Sequence, residues 1–300
     1  MMTSPTIGFI GLGAMGWPMA ARLAPGHRLF LFDIDVGHAE RFAGQVGGVA
    51  AHSVAKLAAA SDIVITMLPT SREVEAVLTG ADGVLEHCRK DLLIIEMSSG
   101  APQQTKLLGL QAADAGCCMI DAPVSGGVPR ARTGELSIMV GGSATDIARA
   151  EPVLKQMGST ILITGALGSG HAMKALNNLV SATTLLATVE AVLIGRQAGL
   201  EPARVVDILN VSTGMSNSSQ KKLHQFVLSG AFNSGFSLDL MVKDVNAAMA
   251  IVNEHRVYAP ISIRCAEIWQ EAARVLGPGQ DHTAVAKAVE MLGVISVETA

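Results

Sequence analysis

A chain of 300 residues is longer than one ordinary core needs and comfortable for two domains. Hydrophobic residues make up 49% and charged residues 16%, so apolar material is ample, and a net charge of -4 without a basic run argues against a nucleic-acid partner. Mean hydropathy is positive, yet the most apolar long run, Leu179 to Ile194, is interrupted by Thr183, Thr184, Thr188 and Glu190, whereas a membrane span needs about 20 nearly unbroken apolar residues.

The opening Met1–Pro5 has no basic region, so no signal or transit peptide is expected. Thr6–Ile10 is the first predicted strand. It runs straight into Gly11-Leu12-Gly13-Ala14-Met15-Gly16, with a predicted helix over Met15–Leu23. In such a turn Gly11 permits the tight bend, Gly13 lets backbone N–H groups approach a pyrophosphate, and Gly16 lets helix pack on strand. The helix N-terminus adds unpaired donors and a favourable dipole. The glycine pattern alone is weak; the flanking strand and helix strengthen it. So does Asp33, which ends the next predicted strand, Arg28–Asp33, 22 residues after Gly11. A carboxylate there suits the adenosine ribose hydroxyls and repels a 2′-phosphate, so NAD is expected over NADP, with Arg22 and Arg41 the groups that argue the other way.

Further strands are predicted over Asp62–Met67, Leu92–Glu96, Cys117–Asp121, Leu136–Val140 and Thr160–Ile163, most of them separated by alanine-rich helical segments such as Gln103–Ala115. Near-continuous apolar strands alternating with helices imply a mainly parallel sheet covered on both faces, the doubly wound α/β pattern. Leu68, Pro69 and Ser99 follow strands beside the glycine turn and are expected to touch the nicotinamide nucleotide. Asp121-Ala-Pro-Val-Ser125-Gly126-Gly127 also leaves a strand at its carboxyl end, where open sheets bind ligands. The Ser125 hydroxyl and the N–H groups of Gly126 and Gly127 suit a carboxylate, although the pattern fits a plain loop equally well.

Past Thr164 strand signals almost vanish. Helices are predicted over Ala172–Gln197, Pro202–Val211, Leu238–Asn253 and Pro260–Leu276, so a Rossmann-type domain, 1–164, should precede an all-helical domain, 165–300. Lys174 and Asn178 are four apart and share a helix face. Among alanine, methionine and leucine the lysine should be partly desolvated, which lowers its pKa, and Lys243 would lower it further on close approach. Such an amine can exchange a proton with a hydroxyl near neutral pH. Spacing alone favours a solvated lysine and a structural asparagine. His171 titrates in a useful range but lies in a glycine-rich entry, and is the lesser candidate for the base. The other histidines are scattered and the cysteines Cys88, Cys117, Cys118 and Cys265 lack ligand spacing, so no metal site and reduced, cytosolic thiols are expected. Met15, Met19, Met67 and Met97 read as core packing.

Four segments in order, GFIGLGAMGWPMA (8–20), DAPVSGGVPRARTGELSIMVGG (121–142), GSGHAMKALNN (168–178) and FSLDLMVKDV (236–245), resemble the β-hydroxyacid dehydrogenase family over essentially the whole chain. The resemblance implies that Gly11 to Gly16 hold the pyrophosphate, that Leu68, Pro69 and Ser99 line the nicotinamide side, and that Ser125, Gly126 and Gly127 bind the substrate carboxylate. It implies Lys174 as the catalytic lysine, Asn178 as a substrate contact, and Lys243 as a lysine approaching the cofactor. It further implies a homodimer or homotetramer and a 3-hydroxyisobutyrate-like substrate, with tartronate semialdehyde, 4-hydroxybutyrate and threonate as alternatives; a cytoplasmic location is expected from the cysteines. Trp17, where a smaller or basic residue is common, and Ala24-Pro25-Gly26 depart from the pattern locally, and Ser212–Gly235 matches no one member. A 6-phosphogluconate dehydrogenase would want more basic residues, an imine reductase normally lacks the lysine, and a non-catalytic dinucleotide-binding module tends to lose it.

Overall fold

The computed structural model describes residues 4–298. The chain divides into two compact units, Met1–Lys174 and Ala175–Ala300. The first opens with β1 (Ile7–Ile10), α1 (Gly16–Leu23), β2 (Leu29–Phe32), α2 (Val36–Gln45), β3 (Val49–Ala50), α3 (Val54–Ala60), β4 (Ile63–Thr66) and α4 (Ser71–Thr79). It continues through α5 (Val84–His87), β5 (Leu93–Glu96), α6 (Pro102–Asp114), β6 (Cys118–Asp121), β7 (Val124–Ser125), α7 (Gly127–Thr133), β8 (Leu136–Gly141), α8 (Ala144–Met157) and β9 (Gly158–Gly165).

The strands form one sheet in which β3-β2-β1-β4-β5-β6 run parallel, and β8 then lies antiparallel to β6 and β7. β9 completes the edge, parallel to β8. Burial on both faces follows from side-chain alternation. Ile7 and Phe9 enter one core with Met19, Leu23 and Phe42, whereas Ile10, Val64 and Ile94 enter the opposite one with Leu57, Leu78 and Leu108. The chain leaves β1 for β2 on one side and later returns to place β4 on the other. Strand order therefore reverses at β1, which opens a crevice at the carboxyl ends of β1 and β4. The expected doubly wound fold is present. The two-residue strands β3 and β7 were not predicted, because so short a segment carries no readable alternation.

α9 (Ser169–Gln197) leads into the second unit, which adds α10 (Pro202–Asn210), a π-helical segment over Ser219–Leu228, α11 (Leu238–His255), α12 (Pro260–Leu276), a 3-10 turn and α13 (Val285–Glu298). Length and composition would let α9 cross a membrane, but half of its most apolar window is buried inside the chain. Ala182, Leu185, Leu186, Val189 and Val192 pack there with Val206, Met241, Val245 and Trp269. The hydroxyls of Thr183 and Thr188 fold back onto the carbonyls of Leu179 and Thr184, so they are satisfied inside the helix.

α9 begins three residues before the predicted Ala172, because a residue far away in sequence caps it. Asp121, at the end of β6, accepts from the Gly168 and His171 N–H groups at 2.7 Å each. Gly170 lies so close to β8 that a Cβ there would sit 2.4 Å from the Met139 carbonyl oxygen. Local pattern reads those glycines as loop; the packing makes them helix.

Candidate active site

The glycine turn combines two kinds of constraint. Gly11 has φ 95°, and a Cβ on it would lie 2.3 Å from the Met67 carbonyl oxygen. A Cβ on Gly16 would lie 1.9 Å from the Gly11 carbonyl oxygen, so turn and helix must touch without a side chain. Gly13 differs: nothing lies within 4 Å of a Cβ built there, and its φ is not positive. The fold itself does not require glycine at 13. A ligand approaching the turn closely would.

No side chain caps α1, as none caps α5, α6 or α7. The Trp17 and Met19 N–H groups go to the Gly13 and Met15 carbonyl oxygens and Pro18 has no N–H, so an anion at this end would meet the N–H groups of the glycine turn itself. Leu12 is buried and Met15 packs against the core, so both serve the turn through their backbones, while Ala14 lines a cleft. That cleft measures about 590 Å³ and is bounded by Gly13, Ala14, Trp17, Arg22, His38 and Arg132. These residues fit the pyrophosphate of a dinucleotide.

Asp33 anchors the turn. Its carboxylate accepts the Leu12 N–H at 2.7 Å and the Asp35 N–H at 3.0 Å, which leaves lone pairs on both oxygens. His38 Nδ1 stands 4.0 Å away and its ring packs on Trp17. Leu68, half-buried beyond β4, donates its N–H to Ser98 Oγ at 2.9 Å, and the exposed Pro69 follows it. Ser99 comes directly after Ser98 beyond β5. Glycine turn, Leu68-Pro69 and Ser99 therefore all sit at the carboxyl edge of neighbouring strands.

Ser125 lies on β7, opposite Ser137 of β8. Gly126 and Gly127 have φ 132° and 68°, a run that only glycine adopts readily, and α7 starts at Gly127. The expected loop is thus a strand end and a helix start.

Beside it is a buried charge cluster that sequence reasoning missed. Glu96 ends β5, Asp121 ends β6, and His171 lies in the first turn of α9; all three are buried. His171 Nε2 is 2.6 Å from Glu96 Oε2 and 3.0 Å from the Ser98 carbonyl oxygen, while Nδ1 meets Thr105 Oγ1 at 2.8 Å and stands 3.5 Å from Asp121 Oδ2. Burial opposes charging His171, but the Glu96 and Asp121 carboxylates outweigh it and raise its pKa. Burial likewise pushes Glu96 upward, and His171 with the Ser98 contacts brings it below the usual carboxylate range. At Asp121 burial prevails over His171 and the two backbone donors, and the pKa is raised. His171 is thus fixed by its neighbours on both ring nitrogens. The one available signal was an acid ending each of two otherwise apolar strands.

Lys174 follows one turn later on α9, half-buried. Asn178 is buried, and its Nδ2 donates to Asp244 Oδ2 of α11 at 2.5 Å while its Oδ1 accepts from Asn177 at 3.1 Å. Lys243 Nζ lies 3.3 Å from Asp244 Oδ1. Asp244, unassigned in the sequence, therefore holds both Asn178 and Lys243. No group of three His, Cys, Asp or Glu side chains that could hold a metal ion occurs among the described residues.

A doubly wound sheet with an open glycine turn at its switch point, followed by an all-helical domain, defines a two-domain oxidoreductase dependent on a nicotinamide dinucleotide. Residues 6–165 match the NAD binding domain of 6-phosphogluconate dehydrogenase, and residues 168–289 match the NAD-binding domain of NADP-dependent 3-hydroxyisobutyrate dehydrogenase. The 2-(hydroxymethyl)glutarate dehydrogenase of Eubacterium barkeri is 38% identical over 299 residues, covering 99% of each chain. The 2-hydroxy-3-oxopropionate reductase of Escherichia coli (strain K12) is 35% identical over 288 residues, 95% of this chain and 97% of that one. A solved Mycobacterium tuberculosis 3-hydroxyisobutyrate dehydrogenase with L-serine superposes with a TM-score of 0.87 at 34% identity, covering 96% of this chain and 99% of that one. The chain belongs to the β-hydroxyacid dehydrogenase family: it is an NAD(P)-dependent oxidoreductase acting on the CH–OH group of a small hydroxy acid.

Proposed function

We propose that the chain oxidises a 3-hydroxyisobutyrate-like β-hydroxy acid with NAD, and that Lys174 moves the proton. The observation that carries this reading is the double role of one strand end. Asp121 fixes the start of the helix that bears Lys174, and four residues later the same chain begins to supply Ser125, Gly126 and Gly127. A carboxylate on that serine and those N–H groups is thus presented by the element that also sets the lysine. Neutral Lys174 Nζ takes the hydroxyl proton during oxidation, and the ammonium returns it to the carbonyl oxygen during reduction. Asn178, its amide oriented by Asp244, steadies the substrate on the same helix face. The nicotinamide, when bound, exchanges the hydride; the chain positions and excludes water. Gly11 to Gly16 hold the pyrophosphate, Leu68, Pro69 and Ser99 line the nicotinamide side, and Lys243 approaches it from α11.

The remaining lone pairs of Asp33 favour a ribose with free hydroxyls, hence NAD over NADP. Ile208, Val211, Met215, Tyr258 and Ile261 are exposed apolar side chains of the helical unit, which supports a homodimer or homotetramer, and a cytoplasmic enzyme is part of the same proposal.

The test is a panel of small hydroxy acids, including 3-hydroxyisobutyrate, glycerate (the reduced form of tartronate semialdehyde), 4-hydroxybutyrate and threonate, each assayed for reduced nucleotide with NAD and with NADP. The reading expects turnover of at least one carboxylate-bearing alcohol and a kcat/KM favouring NAD. Turnover of none of them overturns the reaction, and equal rates with NADP overturn the role of Asp33.

A further inference from the structure

At the amino ends of β5 and β6, opposite the edge that carries the glycine turn, two of the four cysteines face each other. Cys88 Sγ and Cys117 Sγ stand 2.8 Å apart. The backbone brings them together. The Asp91 N–H donates to the Gly116 carbonyl oxygen and the Cys118 N–H to the Leu92 carbonyl oxygen, each at 2.9 Å, so the segment after α5 is stitched to the segment after α6. Cys117 is buried in one cluster with Leu92, Ile94, Leu108 and Ala112, and the half-buried Cys88 packs against that cluster. Cys118 points the other way, into the opposite core beside Asp146 and Arg149 of α8.

Sulfurs in a disulfide are about 2.05 Å apart, so this pair needs a shift of roughly 0.8 Å to reach bonding distance, with its backbone already held. The two thiols differ in reactivity. Burial, and after it the neighbouring Cys88, push the Cys117 thiol up to about 12, which makes it a poor first nucleophile. Cys88 is the more accessible of the two, and an oxidant in solution meets it first.

We propose that Cys88 and Cys117 are an oxidation site, which a low-molecular-weight disulfide such as oxidised glutathione converts reversibly to a protein disulfide clamping the β5–α6–β6 unit. Cys88, its proton released to water, attacks one sulfur of the small disulfide; that S–S bond breaks, one small thiolate leaves, and Cys88 carries a mixed disulfide. The departing thiolate takes the Cys117 proton. The Cys117 sulfur then attacks Cys88, and the second small thiolate leaves and regains the proton released at the start. Two protein thiols are oxidised and one small disulfide is reduced to two thiols. The bridge joins residues 29 apart around α6, between the two strands that end in Glu96 and Asp121. It does not depend on the reaction proposed above.

The experiment equilibrates the full-length protein with mixtures of reduced and oxidised glutathione, followed by thiol counting, peptide mapping and thermal melts. Under oxidising mixtures two of the four thiols should be lost, with no glutathione retained, and dithiothreitol should restore them. Cleavage after lysine and arginine should yield peptide 73–89 linked to peptide 107–130. Because the second peptide carries both Cys117 and Cys118, variants assign the bond: Cys118→Ser should keep the link, whereas Cys88→Ser and Cys117→Ser should lose it. The bridged protein should melt roughly 5–10 °C higher than the reduced one, the effect of closing a loop of that length. Four free thiols in every mixture, a glutathione adduct on Cys88 that goes no further, or a link lost in Cys118→Ser overturns the site. A bridged protein that melts no higher than the reduced one overturns the clamp. If Cys117→Ser does not fold, Cys118→Ser, whose linked peptide holds Cys117 alone, decides.

Discussion

Gly13 and Gly16 lie three residues apart in one turn and obey different constraints. Gly16 is glycine because the chain touches itself there, 1.9 Å from a would-be Cβ, whereas Gly13 meets nothing of the chain within 4 Å. Gly16→Ala should therefore lower the melting temperature and abolish dinucleotide binding together. Gly13→Ala should leave the melting temperature within a degree or so and weaken NADH binding by roughly 10-fold or more, the cost of about 1.4 kcal/mol at a crowded contact. Parallel thermal melts and NADH titrations check both; a Gly13→Ala protein that binds normally would show that no ligand approaches the turn. Both glycines were legible in the sequence, because their strand and helix are local. The partners of Asp121 were not, since Gly168 and His171 lie 47 and 50 residues away.

Among the elements, α9 decides most. Its apolar run and its end at Gln197 were readable from period, as were α10, α11 and α12, whose proline and serine starts punctuate the sequence. Its beginning was not, because a carboxylate from β6 overrides the glycines. The π-helical Ser219–Leu228 was equally unreadable: its period is not the 3.6 that sequence patterns reveal. The junction of β5, β6 and α9 makes stability depend on pH. His171 is raised, so its contribution is complete below the ordinary imidazole value and is lost as pH rises through the raised one. Glu96 is lowered, so its contribution is present above the ordinary carboxylate value and is lost as pH falls through the lowered one. Asp121, raised, adds a further decline as pH climbs through its own titration. The junction should be firmest between the acid and alkaline limbs. His171→Gln leaves Glu96 buried without its cation and should cost about 3–5 kcal/mol, or roughly 10 °C in melting temperature at neutral pH. It should also remove the alkaline limb due to the imidazole. Melting curves across pH for both proteins check this, and an unchanged alkaline limb in the variant would refute the pairing.

For the molecule as a whole, the sequence disclosed two kinds of domain through the switch from apolar strands to helices near Thr164, and their cores are separate clusters. Assembly is tested by light scattering at micromolar concentration. A mass of two or four times 31.0 kDa is expected, and a single-chain mass would contradict the oligomer. What the whole molecule does hangs on one amine. The most direct measurement compares single-turnover nucleotide reduction by the native protein and by Lys174→Ala, using the best hydroxy acid of the panel, with NADH affinity measured alongside. The account predicts a rate lower by roughly 10²–10⁴-fold with NADH affinity nearly unchanged. A variant that reduces the nucleotide at the native rate would contradict it.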